Sequence, residues 1–182
     1  MNVAVYLGSS MGNDPTIQAM TQKVGEWLAK HHHTLVYGGA QNGLMGVVAD
    51  SVLANGGHVI GVIPQFLERK EQAHANLDEL HIVDTMAQRK TMMIELADAF
   101  IAMPGGPGTL EEVSEIISKI RLDQLVGPCI LFDLDHYYDP LKAQIDKMIE
   151  YGYVDASIYD SVFFVSTMDA LAHILDQKAE GQ

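Results

Sequence analysis

The sequence predicts an α/β fold: a Rossmann-like, doubly wound parallel sheet, built as a single domain over residues 1–182. Short, wholly apolar runs alternate with helical patterns from end to end, as expected of strands buried on both faces and joined by crossover helices. Three of those runs stop at glycine turns: Gly8-Ser9-Ser10, Gly38-Gly39 and Pro104 to Thr109. A composition of 48% apolar and 19% charged residues over 182 positions suits one globular core. Ligands of such sheets sit beyond the carboxyl ends of the strands, at the switch point, so the three turns should line one edge.

Asn2 to Leu7 (NVAVYL) reads as a buried strand. Asp14-Pro15 starts a helix, with an acid at the N-cap and proline at the first helical position; it runs to about Lys30, burying Ile17, Met20, Val24, Trp27 and Leu28. Thr34 to Tyr37 is the next strand. Asn42 to Asn55 is helical and closed by Gly56-Gly57, and His58 to Ile63 is a third strand. Pro64 to Glu79 lacks a pattern and is long for a connection, as lids and binding segments often are. Leu80 to Asp84 resumes as a strand and Met86 to Asp98 as a helix, with Met93, Leu96 and Ala97 inward. After the strand Ala99 to Met103, a helix from about Thr109 to Leu122 is expected to bury Leu110, Val113, Ile117 and Ile120. Cys129 to Leu134, a helix from Asp139-Pro140, the strand Val162 to Val165 and a helix near Thr167 to Lys178 complete the pattern; Ser166-x-x-Asp169 has the form of a capping box.

The net charge of −13 argues against a nucleic-acid polymer as partner, since phosphate backbones are bound by clustered Lys and Arg. Arg69-Lys70 and Arg89-Lys90 would suffice for one small anion. The lone Cys129 cannot pair internally and reads as a buried structural thiol. No apolar run reaches the ~18–20 residues of a membrane span, so the expectation is a soluble, cytoplasmic protein with no membrane contact.

The chemistry is centred on FIAMPGGPGTLEE at 100–112. Glycines let backbone N–H groups approach an anion closely, and the helix N-terminus that follows favours negative charge. Neither G-x-G-x-x-G after the first strand nor G-x-x-x-x-G-K-[ST] is present, which disfavours a dinucleotide or a magnesium triphosphate and leaves a single phosphate. Its donors would be the N–H groups of Gly106, Gly108 and Thr109 with the Thr109 hydroxyl. Glu112 adds a carboxylate close by. Thr109-x-x-Glu112 also has the form of a capping box, so spacing alone leaves Glu112 as cap or catalyst.

PGGPGTLEE at 104–112, YGGAQNGLMG at 37–46, VYLGSS at 5–10, GVIP at 61–64 and QRKTMM at 88–93 together resemble the Lonely Guy family of cytokinin-activating nucleoside 5′-monophosphate phosphoribohydrolases. The similarity covers roughly the first 150 residues in consistent order. It implies cleavage of the N-glycosidic bond of AMP-like nucleotides, including N6-modified cytokinin riboside 5′-monophosphates, to free base and ribose 5-phosphate, with no cofactor and no metal. Carried over by motif, Arg89 and Glu112 form the catalytic pair. Glu71, Lys90, Gly106, Pro107, Gly108, Thr109, Leu110, Glu111 and Ser118 match substrate-contacting positions, and Gly105, with Ser9 and Gly39 in the two other turns, is a further substrate-binding candidate. The resemblance also implies a homodimer whose partner helps complete the pocket. This chain departs from the family pattern with Ala87 for histidine, Pro107 for tyrosine, Ser118 for threonine, and Lys119-Ile120-Arg121 for a tryptophan-glutamine stretch. Molybdenum-cofactor carrier proteins share PGGxGT, so a non-catalytic carrier of a nucleotide or of that cofactor is the alternative. The label lysine decarboxylase, common in the family, finds no recognisable Schiff-base lysine site here.

His31-His32-His33 suggests a metal only superficially. Consecutive residues at a helix end point apart, and a solvated helix C-terminus is the simpler reading. The ten methionines read as core filler, with Met45 and Met86 near enough to the turns to flank a purine.

Overall fold

The structure, a computed structural model, describes residues 1–68, 70 and 72–180. Its elements are β1 (Asn2–Tyr6), α1 (Pro15–Lys30), β2 (Thr34–Tyr37), α2 (Gly43–Ala54), β3 (His58–Pro64), α3 (Gln65–Glu68), β4 (Glu79–Val83), α4 (Met86–Leu96), β5 (Ala99–Ala102), α5 (Pro107–Arg121), β6 (Cys129–Phe132), α6 (Asp139–Glu150), β7 (Val162–Val165) and α7 (Met168–Glu180). Among the described residues the strands form one seven-stranded sheet in the order β4-β3-β2-β1-β5-β6-β7. Every neighbouring pair is parallel, and Val3 of β1 is in register with both Leu35 of β2 and Ala99 of β5. The doubly wound sheet expected from the alternating pattern is what forms.

Strand β1 shows why these runs are apolar at every position. Val3 and Val5 enter the layer made with α1, α2 and α7, while Ala4 and Tyr6 enter the layer made with α4, α5 and α6. The order of the sheet reverses between β1 and β5. The chain winds outward from β1 to β4, returns beside β1, and winds outward again to β7. Past β1 the loop leads into α1 on one face; past β5 it leads into α5 on the other. A crevice therefore opens at the carboxyl ends of these two strands.

Local capping sets the phase of the helices that matter. Asp14 caps α1 by accepting from Thr16 N at 2.8 Å. Helix α4 has a full capping box, in which Thr85 Oγ1 accepts from Gln88 N and Gln88 Oε1 accepts from Thr85 N, each at 3.1 Å. Helix α5 begins two residues before the expected Thr109, because Gly106 takes the N-cap and Pro107 the first helical position. Its buried residues are Thr109, Glu112, Val113 and Ile116, and Leu110, expected inside, is 49% exposed. Thr109-x-x-Glu112 is thus not a capping box. At α7 the cap is Thr167, which accepts from Ala170 N at 3.2 Å, and not Ser166.

The patternless stretch after β3 contains the short helix α3 and is then fastened down. Gln41 N donates to Gln72 O at 2.8 Å and His74 N to Gly39 O at 3.0 Å. Among the described residues no helix is long and apolar enough to cross a membrane.

Candidate active site

The glycine turn joins β5 to α5 at the crevice. A β-carbon on Gly105 would overlap the Thr109 side chain and touch the Gly8 backbone, so only glycine lets the turns after β1 and β5 and the first turn of α5 close up. The Gly106 cap offers no side chain, and Pro107 has no N–H. The first turn of α5 therefore presents the N–H groups of Gly108 and Thr109, with that of Gly106 beside them, and among the described residues no side chain caps it. Thr109 itself is buried beneath Gly105.

The capping box of α4 turns Arg89 inward, against the expectation for an arginine on a polar helix. Arg89 is 7% exposed and Glu112 8%. Arg89 Nη2 stands 3.9 Å from Glu112 Oε1, close enough for strong attraction in a desolvated setting but beyond hydrogen-bond length. Nη1 lies 3.8 Å from Met86 Sδ, and Nε is buried with no hydrogen-bond partner among the described residues. A buried guanidinium with unused donor capacity is suited to an incoming oxygen or ring nitrogen.

Two further groups shape the pair. Tyr6 of β1 is buried on the same side of the sheet; burial first, and then the Glu112 charge, push its hydroxyl well above its ordinary pKa, so it stays a neutral donor. Lys90 donates to Glu111 at 2.7 Å and pairs with Glu115 at 3.0 Å, a bridge from α4 to α5 alongside the Arg89–Glu112 contact. These hydrogen bonds, Glu111 foremost, raise the Lys90 pKa.

Gly105 to Glu112, Arg89 and Lys90 are thus gathered where α4 and α5 begin. Ser9 is exposed in the turn after β1, and Gly39 holds His74 at the turn after β2. Ser118 is separate: six positions after Glu112, roughly 120° around α5, it lines a groove with Ile117, Arg121, Leu141, Ile145 and Met148. Glu71 lies outside the described residues.

Sequence reasoning missed Tyr6, Tyr137 and Tyr138. Tyr138 is buried and donates to Met103 O at 2.7 Å, while the Tyr137 hydroxyl donates to Gly105 O. From beyond β6, Tyr137 reaches the glycine turn and Tyr138 the residue that precedes it, and no local pattern marks either. Among the described residues one set of metal-type ligands converges, Asp133, His136 and Asp139. Asp133 already accepts from Tyr138 N at 2.6 Å, and His136 pairs with Asp139 at 3.0 Å. The histidine triplet does not converge: His31 stacks on Trp27 with its Nδ1 at Trp27 O, and His33 is buried.

The family model described as "Possible lysine decarboxylase" matches residues 45–175. A Rhodococcoides fascians protein named cytokinin riboside 5′-monophosphate phosphoribohydrolase is 42% identical over 154 residues, covering 84% of this chain and 78% of its own. The Arabidopsis thaliana protein named cytokinin riboside 5′-monophosphate phosphoribohydrolase LOG3 is 37% identical over 177 residues, 97% of this chain and 82% of its own. Among solved structures, a molybdenum-cofactor carrier protein from Chlamydomonas reinhardtii matches with a TM-score of 0.75 at 17% identity, over 100% of this chain and 98% of its own. A molybdenum-cofactor binding protein from Rippkaea orientalis gives 0.73 at 19% identity, over 97% and 95% of the two chains. At those identities the likeness is one of fold.

Proposed function

Because the chain belongs to the Lonely Guy family, whose curated relatives are named cytokinin riboside 5′-monophosphate phosphoribohydrolases, we propose that it hydrolyses the N-glycosidic bond of purine nucleoside 5′-monophosphates. AMP and its N6-modified cytokinin counterparts are the substrate class. Free base and ribose 5-phosphate are the products.

The carrying observation is the buried Arg89–Glu112 pair at 3.9 Å beside an N-terminus of α5 that no side chain caps. Gly106 takes the N-cap of α5, so Glu112 stands inside the helix facing Arg89 and is not the acid of a Thr109 capping box. The 5′-phosphate lies on the N–H groups of Gly106, Gly108 and Thr109. The C1′–N9 bond breaks with its electron pair going to the base, and Glu112 stabilises the oxocarbenium-like sugar while orienting the water that adds to C1′. Arg89 orients the nucleotide and hydrogen-bonds the departing base without giving up a proton. The attacking water leaves its hydroxyl on C1′ and its proton passes by way of Glu112 and solvent to the base, so one water is consumed per bond broken. A carrier would need the turn but no such pair, and the carrier likeness is confined to fold.

Lysine decarboxylation suits this site poorly. A Schiff-base lysine needs a depressed pKa, whereas Lys90 is held protonated by Glu111 and Glu115.

The proposal extends to a homodimer. Its support is Ser118, which faces away from Glu112 into an apolar groove between α5 and α6, where a second copy could bring it to a nucleotide. Exposed Tyr153 and Leu122 nearby suit burial in such a contact. A cytoplasmic setting fits the lone thiol of Cys129, buried and pushed up to about 12 by that burial.

Product analysis with AMP and with N6-isopentenyl-AMP, on wild type beside Glu112→Gln, tests the reading. Free base and ribose 5-phosphate from wild type, with a folded and inactive variant, are expected. Intact nucleotide despite measurable binding would overturn the hydrolase.

A further inference from the structure

The peptide between Gly105 and Gly106 has a glycine on each side, so its two orientations differ little in intrinsic energy. One presents the Gly106 N–H to a given point and the other presents the Gly105 carbonyl, because the two groups of a trans peptide are antiparallel. An anion-binding turn works in only one of them. Something must hold it there.

Tyr137 is placed to do so, since its hydroxyl donates to Gly105 O. It stands between two cavities that both border Gly105 and Gly106. One is a cleft of about 510 Å³ toward Leu141 of α6, and the other a crevice of about 250 Å³ toward Gly8 and Ser10. The chain is bent hard to deliver it. Asp135 (φ 48°) and His136 (φ 61°) both adopt the left-handed region immediately before Tyr137, a conformation that non-glycine residues rarely take. Asp133 fixes the far end by accepting from Tyr138 N at 2.6 Å, and the two tyrosine rings meet edge to face at 5.0 Å. Tyr138 anchors this segment through Met103 O.

We propose that the Tyr137 hydroxyl locks the Gly105–Gly106 peptide with its N–H turned away from Tyr137 and toward the nucleotide phosphate, which makes Tyr137 a positioning residue for phosphate recognition. The proposal rests on the reading that this turn holds the 5′-phosphate. Without the hydroxyl the peptide samples the flipped state, in which a carbonyl oxygen opposes the phosphate.

Tyr137→Phe tests this cleanly, because the side chain is half exposed and the ring contact with Tyr138 survives. Ribose 5-phosphate and adenine are titrated calorimetrically into wild type and variant, with AMP turnover measured in parallel. The dissociation constant of ribose 5-phosphate is expected to rise about fivefold to tenfold, with adenine binding and the thermal midpoint unchanged. In turnover the KM for AMP rises while kcat changes less than about twofold. Equal ribose 5-phosphate binding by the two proteins would overturn the proposal, as would a loss shared equally by adenine. If wild type binds ribose 5-phosphate and the variant does so more weakly, but neither cleaves AMP, the hydrolase reading fails and the role of Tyr137 stands. If wild type binds no ribose 5-phosphate, the role of Tyr137 falls whatever the turnover.

Discussion

Gly38 and Arg89 share one space: a β-carbon on Gly38 would overlap the Arg89 guanidinium and come within 2.8 Å of the Met45 sulfur. The turn after β2 therefore walls the space that holds Arg89 and Glu112, and the lack of a side chain at Gly38 is what lets an arginine from α4 lie under it.

Gly38→Ala should displace Arg89 with little change in the fold, since no left-handed φ is required at this position. The expected loss in kcat/KM is about 10- to 100-fold, on the order expected when a reacting group moves by about an ångström. Steady-state kinetics beside a thermal melt would check it, and unimpaired activity would mean that Arg89 has room the geometry denies.

Arg89→Lys keeps the charge and removes the planar fork. The buried Nε, which has no hydrogen-bond partner among the described residues, and the Nη2 group 3.9 Å from Glu112 point to geometry, not charge alone, as what the site requires. The lysine variant should lose about 10²-fold in kcat/KM, and near-normal turnover would reduce Arg89 to a point charge.

Lys90 joins α4 to α5 through Glu111 and Glu115, and its folded pKa is raised. Such a group adds stability that is complete below its unfolded pKa of about 10.4 and lost as pH rises through the higher folded value. Urea midpoints measured from about pH 8 to 11 should therefore fall more steeply for wild type than for Lys90→Met. At neutral pH the variant should be less stable by about 0.5–1 kcal/mol, with the gap narrowing in high salt.

His74 is 3% exposed and ties the segment after α3 to the rim of the site. Its Nδ1 accepts from Asn76 N at 3.2 Å, so its Nε2 carries the hydrogen that Asp50 Oδ1 accepts at 3.0 Å. His74→Ala should lower stability by about 2–3 kcal/mol and open residues 72–79 to proteolysis, while Asp50→Asn, which keeps an acceptor, should do neither. Equal protease resistance in His74→Ala would show that the backbone bonds to Gly39 and Gln41 suffice.

The alternation of strands and helices was legible because strands buried on both faces are apolar at every position, as Val3 to Tyr6 are. The glycine turn was legible from its spacing. On α5 the pattern places Val113, Ile117 and Ile120 against the core correctly and fails at Leu110, because a glycine cap leaves no side-chain signature and the helix starts two residues before Thr109. Arg89 gave no periodic signal, since a buried cation looks in sequence like a solvated one, and only the motif singled it out. Tyr137 and His74 act on backbone atoms distant along the chain, and such contacts leave no trace in local composition.

His33 carries a pH dependence of its own. It is 7% exposed, neither ring nitrogen has a hydrogen-bond partner among the described residues, and its ring packs 5.2 Å from that of Trp27. Burial lowers its pKa first; the Met1 amino group, His31 and His32 push the same way, and Asp176 of α7 opposes them. The unfolded chain takes up a proton here below about pH 6.5, while the folded chain resists it, so stability falls as the pH drops below that value and is flat above it. His33→Phe keeps the ring contact with Trp27 and removes both orphaned nitrogens. It should match or exceed wild type at neutral pH, by up to about 1 kcal/mol, and lose less on acidification. Denaturant midpoints at about pH 7.5 and pH 5 for the two proteins decide the matter: an equal acid loss in both would place the titrating group elsewhere.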